Sequence, residues 1–173
     1  MKNRRLFIIG MPGSGKSTVG KLVAEKREQL FLDMDDQIEQ ETGMSIAEIF
    51  NQKGEEYFRK KEAEILRLTI ARHPASVIAC GGGTPCFHHN MDLINTTGIS
   101  VYIDVSPAEI AMRLEQEGKE IRPLLKEHSG EALVKFLTDK LKSRAPYYEK
   151  ARLIIPASGI ASEKVAGQIS QKL

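Results

Sequence analysis

Short apolar runs alternate with polar stretches of helical period along this chain. The runs Leu6–Ile9, Leu30–Leu32, Val77–Cys80, Ser100–Ile103 and Leu153–Ile155 each predict a strand. Between them the pattern predicts helices over Lys16–Lys26, Asp35–Thr42, Ile46–Asn51, Glu55–Ala71, Pro107–Gln116, Gly130–Ser143 and Glu163–Gln171. Phe58, Ile65, Leu66 and Thr69 share one helical face, with Arg59 at its border. Ser45-x-x-Glu48 and Ser106-Pro107-x-Glu109 read as capping boxes that start helices. Strands separated by helices predict an α/β fold with a parallel sheet covered on both faces. No repeat, low-complexity tract or long linker interrupts the pattern. The expected organisation is therefore one domain over residues 1–173.

In open parallel sheets, ligands sit beyond the carboxyl ends of the strands. The residues just after each strand therefore matter most. After the first comes Gly10-Met11-Pro12-Gly13-Ser14-Gly15-Lys16-Ser17, the G-x-x-x-x-G-K-S spacing of a phosphate-binding P-loop. Its glycines let successive N–H groups turn inward around an anion, and the next helix points its positive end there. Lys16 can reach the β- and γ-phosphates of a nucleoside triphosphate, and the Ser17 hydroxyl can ligate Mg²⁺. After the second strand come Asp33 and Asp35, which fall on one side if the chain there is extended. One carboxylate can hold Mg²⁺ through its water shell, and the other can face an acceptor hydroxyl. Helix capping competes as an explanation, and Asp36 reads as a cap or first-turn residue.

Glu62 lies three residues beyond Arg59 and can fix its planar fork, which suits a carboxylate or phosphate. Lys60 and Lys61 read as solvated charge. After the third strand, Gly81-Gly82-Gly83 predicts close approach of backbone to a ligand. The polar stretch from Glu115 to Ser129 carries Arg122 and lacks a core pattern. It reads as a mobile lid, about 115–127, that delivers an arginine to transferring phosphate. Arg144, just past a predicted helix end, is either a charge complementing that terminus or a second anion clamp.

Composition narrows the field. Net charge is +2, from 25 basic and 23 acidic residues, so no general affinity for polyanions follows. With no Trp and 6% aromatics, a base-stacking nucleic-acid surface is not expected. No apolar run approaches a membrane span, and the run after the basic N-terminus is too short for a signal peptide. Cys80 and Cys86 fit a reducing compartment and make no metal-site pattern. His73, His88, His89 and His128 lack partners at metal-ligand spacing. The reading is a cytoplasmic, monomeric protein that acts on small molecules, with no nucleic-acid or membrane partner.

Gly10–Ser17, Asp33-x-Asp35, Phe58-Arg59-x-x-Glu62, Gly81-Gly82-Gly83, Arg122-Pro123-Leu124-Leu125 and Arg144-x-x-x-Tyr148 occur in that order. In this combination the chain resembles the shikimate kinases, of the nucleoside-monophosphate-kinase-like P-loop group, over essentially its full length. The resemblance implies a three-layer α/β/α P-loop fold with a five-stranded parallel sheet. It also implies a helical substrate-binding insertion, about 34–62, and the lid. The implied reaction is ATP-dependent phosphorylation of the shikimate 3-hydroxyl. ATP would lie on Gly13, Ser14, Gly15, Lys16, Ser17 and Thr18, with Arg113 stacked on adenine and the loop 157–162 packed against it. Ser17 and, through water, Asp33 would hold Mg²⁺. Lys16 and Arg122 would stabilise the transferred phosphoryl group, and Asp35 would meet the acceptor hydroxyl. Arg59, Arg144 and the Gly81–Gly83 backbone would hold the acid and its hydroxyls. The competing readings are a related kinase for gluconate or a nucleotide, and a non-catalytic nucleotide-binding regulatory module.

Overall fold

The computed structural model describes residues 4–116 and 129–173. Five strands form one parallel sheet: β1 (Leu6–Ile9), β2 (Leu30–Asp33), β3 (Ser76–Ala79), β4 (Ile99–Asp104) and β5 (Leu153–Pro156), in the order β2-β3-β1-β4-β5. β1 is central, pairing Leu6 with Val77 of β3 and with Ile99 of β4. All four of its residues are fully buried, as expected of a strand covered on both faces. Seven helices flank the sheet among the described residues: α1 (Lys16–Arg27), α2 (Met34–Thr42), α3 (Ile46–Arg72), α4 (Asn90–Thr97), α5 (Pro107–Gln116), α6 (Gly130–Tyr148) and α7 (Ser162–Lys172). α1 comes close to β2 because Gly20 lacks a side chain; a Cβ there would lie 2.6 Å from the Phe31 ring.

The strands sit where the apolar runs put them, and several boundaries differ. β2 continues through Asp33, and α2 begins at Met34. Asp33 caps that helix, its carboxylate accepting from the Asp35 N–H at 3.0 Å, and Asp36 lies in the first turn, one of the two places expected for it. The chain is thus extended at Asp33 and helical at Asp35, so the two carboxylates do not share a strand face. α3 breaks where the sequence places a break: Gly54 (φ 81°, ψ 170°) is non-helical and separates two helical segments, at a positive φ that glycine adopts without steric cost. α6 runs on to Tyr148 through Pro146. Pro146 lies in the last turn, where the missing N–H costs one helical bond. Arg144 is therefore inside a helix and not beyond its end. The Ser45–Glu48 capping box is complete. The second is half-made: Glu109 N–H donates to Ser106 Oγ at 3.3 Å, whereas the Ser106 N–H goes to Ser158 Oγ.

The sequence pattern gives no sign of α4 or of the 3₁₀ turn Thr84–Cys86 before it. α4 has only eight residues and no side-chain cap. The stretch expected to form a lid lies outside the described residues from position 117. The ends flanking it are joined, since the Gly130 N–H donates to Glu115 Oε1 at 2.8 Å.

At the amino end of the sheet the buried Arg5 ties three elements together. Its guanidinium donates to Ile70 O (2.6 Å) and His73 O (2.9 and 3.0 Å) at the end of α3, and to Thr97 O (3.0 Å) at the end of α4. No carboxylate pairs with it among the described residues. The last carbonyls of a helix carry partial negative charge and lack internal partners, so one cation satisfies both ends. Burial lowers the Arg5 pKa from its usual value, but arginine remains charged at any ordinary pH. Arg5→Leu should lower the free energy of unfolding by on the order of 3 kcal/mol, because buried acceptors lose a charged donor. Denaturant titration checks this, and activity at room temperature should be retained.

Candidate active site

The P-loop turns at the end of β1, and Gly15 (φ 86°) starts α1 in the left-handed region. Lys16 is buried, and its Nζ donates to Met11 O at 2.8 Å, which holds the ammonium within the loop. The Ser17 hydroxyl, exposed on the first turn of α1, donates to Asp33 Oδ2 at 2.5 Å. Asp33 thus serves the helix cap with one oxygen and faces Ser17 with the other. A cleft of about 430 Å³ lies over these groups. It is lined by Gly13, Gly15, Lys16, Ser17, Thr18, Asp33, Asp35, Cys80, Gly81, Gly82, Arg113 and Ser162. P-loop, paired aspartates, glycine turn and Arg113 therefore open onto one space. Ser14 lies beneath it with its hydroxyl buried and without a hydrogen-bond partner among the described residues.

Arg59, Gly83 and Arg144 do not line that cleft; the two arginines pack against the glycine turn. A Cβ on Gly81 would lie 2.9 Å from Glu62 Oε1 and 3.3 Å from Asp35 Oδ1. One on Gly82 would lie 2.6 Å from the Pro12 ring and 2.9 Å from Arg144 Nη1, and one on Gly83 would lie 2.6 Å from the Arg59 guanidinium. None of the three has positive φ. The run is explained by the space it leaves for the site's own side chains.

Arg59 is buried. Its Nη1 donates to Glu62 Oε2 at 2.8 Å, and its Nε and Nη2 donate to Glu55 Oε1 at 3.3 and 3.2 Å. Arg144 has a buried Nη1 without a hydrogen-bond partner among the described residues. The turn between them is anchored by the Tyr148 hydroxyl, which donates to Gly82 O at 2.5 Å.

A sequence model of the shikimate kinase family matches residues 12–173. The chain belongs to the shikimate kinase family. It is 39% identical to a shikimate kinase of Parabacteroides distasonis, over 98% of this chain and 97% of that one. Among solved structures, it resembles a shikimate kinase from Bacteroides thetaiotaomicron with a TM-score of 0.89 and 32% identity, over 98% of this chain and 97% of that one. It resembles the Acinetobacter baumannii shikimate kinase, solved with shikimate, with a TM-score of 0.88 and 34% identity, over 98% of this chain and 92% of that one. The fold implied by the motifs is the one present, and the reaction is ATP-dependent phosphorylation of shikimate in aromatic amino acid biosynthesis.

Several residues of this kinase's site have roles that sequence reasoning does not disclose. Tyr148 is visible there only as part of a motif, and its hydroxyl, with the pKa raised by burial, stays protonated as a donor. Glu109 reads in sequence as a capping residue. Its carboxylate instead accepts from Arg113 Nη2 at 2.5 Å and from the Gly159 N–H at 2.8 Å, joining α5 to the loop before α7. No local spacing could disclose a contact 50 residues away. Burial pushes the pKa of both thiols up, Cys86 to about 11, so neither is a thiolate at neutral pH. Among the described residues, no helix is long and apolar enough to cross a membrane.

Glu109→Gln should raise the KM for ATP about fivefold, the worth of about 1 kcal/mol for a partly exposed ion pair. The KM for shikimate should not change. Steady-state kinetics with each substrate varied in turn check this, and an equal rise in both constants would mean that Glu109 supports the whole cleft.

Proposed function

We propose that phosphoryl transfer to the shikimate 3-hydroxyl takes place in this cleft, with the acid held at the glycine turn by Arg59 and Arg144. The observation that carries this reading is the donor arithmetic of the two guanidinium groups. Arginine has five N–H donors. Toward the described residues, Arg59 commits its Nε–H and one N–H on each terminal nitrogen. One N–H remains on each terminal nitrogen, the complement for a planar carboxylate. Arg144 adds a buried Nη1 without a partner. A buried, unsatisfied cationic donor is costly unless a ligand meets it.

The nucleotide would lie on Gly13, Ser14, Gly15, Lys16, Ser17 and Thr18, with adenine on Arg113 and the loop 157–162. Lys16 would offset charge on the transferring group, and Arg122, outside the described residues, would do so from the other side. Asp35 would accept the proton of, or orient, the attacking hydroxyl. The Ser17 and Asp33 oxygens would hold Mg²⁺. Their hard-oxygen chemistry fits an ion that keeps several waters. Bound there, Mg²⁺ would neutralise β- and γ-phosphate oxygens. We further propose that 1–173 acts as one cytoplasmic, monomeric unit, with 34–62 serving the acceptor and 115–127 closing over the phosphates.

Coupled ADP release with shikimate, quinate, gluconate and nucleoside monophosphates tests the reading as a whole. A shikimate analogue lacking the carboxylate should lose roughly 2–5 kcal/mol of transition-state stabilisation in kcat/KM. Comparable turnover of the two would sink the proposed clamp. Chelation by EDTA should abolish activity, and Mg²⁺ or Mn²⁺ should restore it; turnover surviving chelation would remove the proposed role of Ser17 and Asp33.

A further inference from the structure

Arg59 is gripped by more than its two glutamates. The Phe58 ring lies 4.9 Å from its guanidinium carbon, and the Phe87 ring lies 4.6 Å from it. Phe58 is its neighbour on α3. Phe87 comes from elsewhere, directly after the 3₁₀ turn Thr84–Cys86. It is 38% exposed, so burial alone does not explain an apolar ring there. The backbone is also strained to carry it. His88 (φ 51°) and His89 (φ 57°) are consecutive non-glycine residues in the left-handed region. That conformation is unfavourable for L-residues and persists where surrounding contacts enforce it.

Two buried hydrogen bonds supply such contacts. Asn90 Nδ2 donates to Thr84 O at 3.0 Å, and the Thr84 hydroxyl donates to Glu62 Oε1 at 2.6 Å. The other oxygen of Glu62 is the one that orients Arg59. The turn therefore reaches Arg59 twice, through the Glu62 carboxylate and through an aromatic face.

We propose that Phe87 is a positioning residue for the acceptor. Its ring, carried on the His88–His89 turn, fixes the plane of the Arg59 guanidinium and so sets the affinity for the acceptor carboxylate without touching the acceptor. This rests on the assignment of Arg59 to that carboxylate. A guanidinium laid on an aromatic face keeps its charge and its edge N–H groups while losing freedom to tilt. A planar carboxylate then meets a fork already aimed.

The test uses Phe87→Ala, Phe87→Leu and Phe87→Trp, alone and combined with Arg59→Gln, read by calorimetric shikimate binding and steady-state kinetics. Phe87→Ala should weaken shikimate binding and raise its KM roughly tenfold, the scale of a desolvated cation–π contact. The KM for ATP and the melting temperature should stay near the parent values. Phe87→Trp keeps a ring face and should retain parent affinity, whereas Phe87→Leu should behave like Phe87→Ala. In the Arg59→Gln background, Phe87→Ala should have less than a roughly twofold further effect, on the order of the additivity error. Four results overturn the inference: unchanged affinity in Phe87→Ala, full rescue by leucine, a parallel rise in both KM values, or an undiminished effect without Arg59. Arg59→Gln alone reads the assignment beneath it. Unchanged shikimate affinity there removes the assignment, whereas weakened affinity with an inert Phe87→Ala removes only the role of Phe87.

Discussion

The site depends on the absence of three side chains. Glu62 and Asp35, Pro12 and Arg144, and Arg59 each come within 2.6–3.3 Å of where a Cβ would stand on Gly81, Gly82 or Gly83. A single methyl group anywhere in that turn would displace a charged group or the P-loop proline. The turn is held from behind by the Tyr148 hydroxyl on Gly82 O. It also links the phosphate loop, through Pro12, to the two arginines proposed to hold the acceptor. Glycine here provides close packing of functional groups, and the backbone angles are ordinary.

Around that turn, the charged groups are held in different ways. Arg59 is restrained by two carboxylates and two rings, so little freedom remains for a ligand to remove. Arg144 presents a buried donor with no partner among the described residues. Rigid donors bind with less loss of entropy, and an unsatisfied one gives a ligand something to repair. On the other side of the cleft, Glu109 joins Arg113 to the Gly159 backbone, so the residues assigned to adenine are coupled before nucleotide arrives. On both sides, carboxylates hold the arginines in place: Glu55 and Glu62 for Arg59, and Glu109 for Arg113.

Most of this is legible in the sequence where the information is local. Apolar runs locate all five strands, and the P-loop spacing locates the phosphate site. Glu62 at three residues from Arg59 foretells their pairing because helical geometry fixes it. Legibility fails where contacts span long separations or where one residue does two things. Capping and function compete as explanations of Asp33 in sequence, and its two oxygens make different contacts, one with the Asp35 N–H and the other with the Ser17 hydroxyl. The glycine run points in sequence to a ligand, since no spacing rule reveals that Arg59 and Arg144 converge on it. The segment from Thr84 to Thr97 is silent in sequence: a three-residue turn and an eight-residue helix started by a left-handed histidine carry little periodic signal. That segment nevertheless supplies the Thr84 hydroxyl and the Phe87 ring.

The polarity of a parallel sheet accounts for both ends of the molecule. Strands running one way send helices back the other way, so α1 offers its N-terminus at the carboxyl edge of β1 while α3 and α4 end at the amino edge. Positive helix ends and P-loop N–H groups accumulate on the first side, where phosphate is bound. Helix carbonyls accumulate on the second, and there Arg5 caps two helices while Arg152 Nη2 donates to Asn95 O of α4 at 2.7 Å. Arg4, Arg5 and Arg152 line one cavity at that end, and among the described residues none of its walls is acidic. A chain with net charge +2 therefore uses arginine at both edges for different reasons. At the amino edge it satisfies the protein's own carbonyls and is spent on the fold. At the carboxyl edge the helix dipoles already favour anions, and the Arg144 donor without a partner among the described residues lies on that same side, beside Gly82.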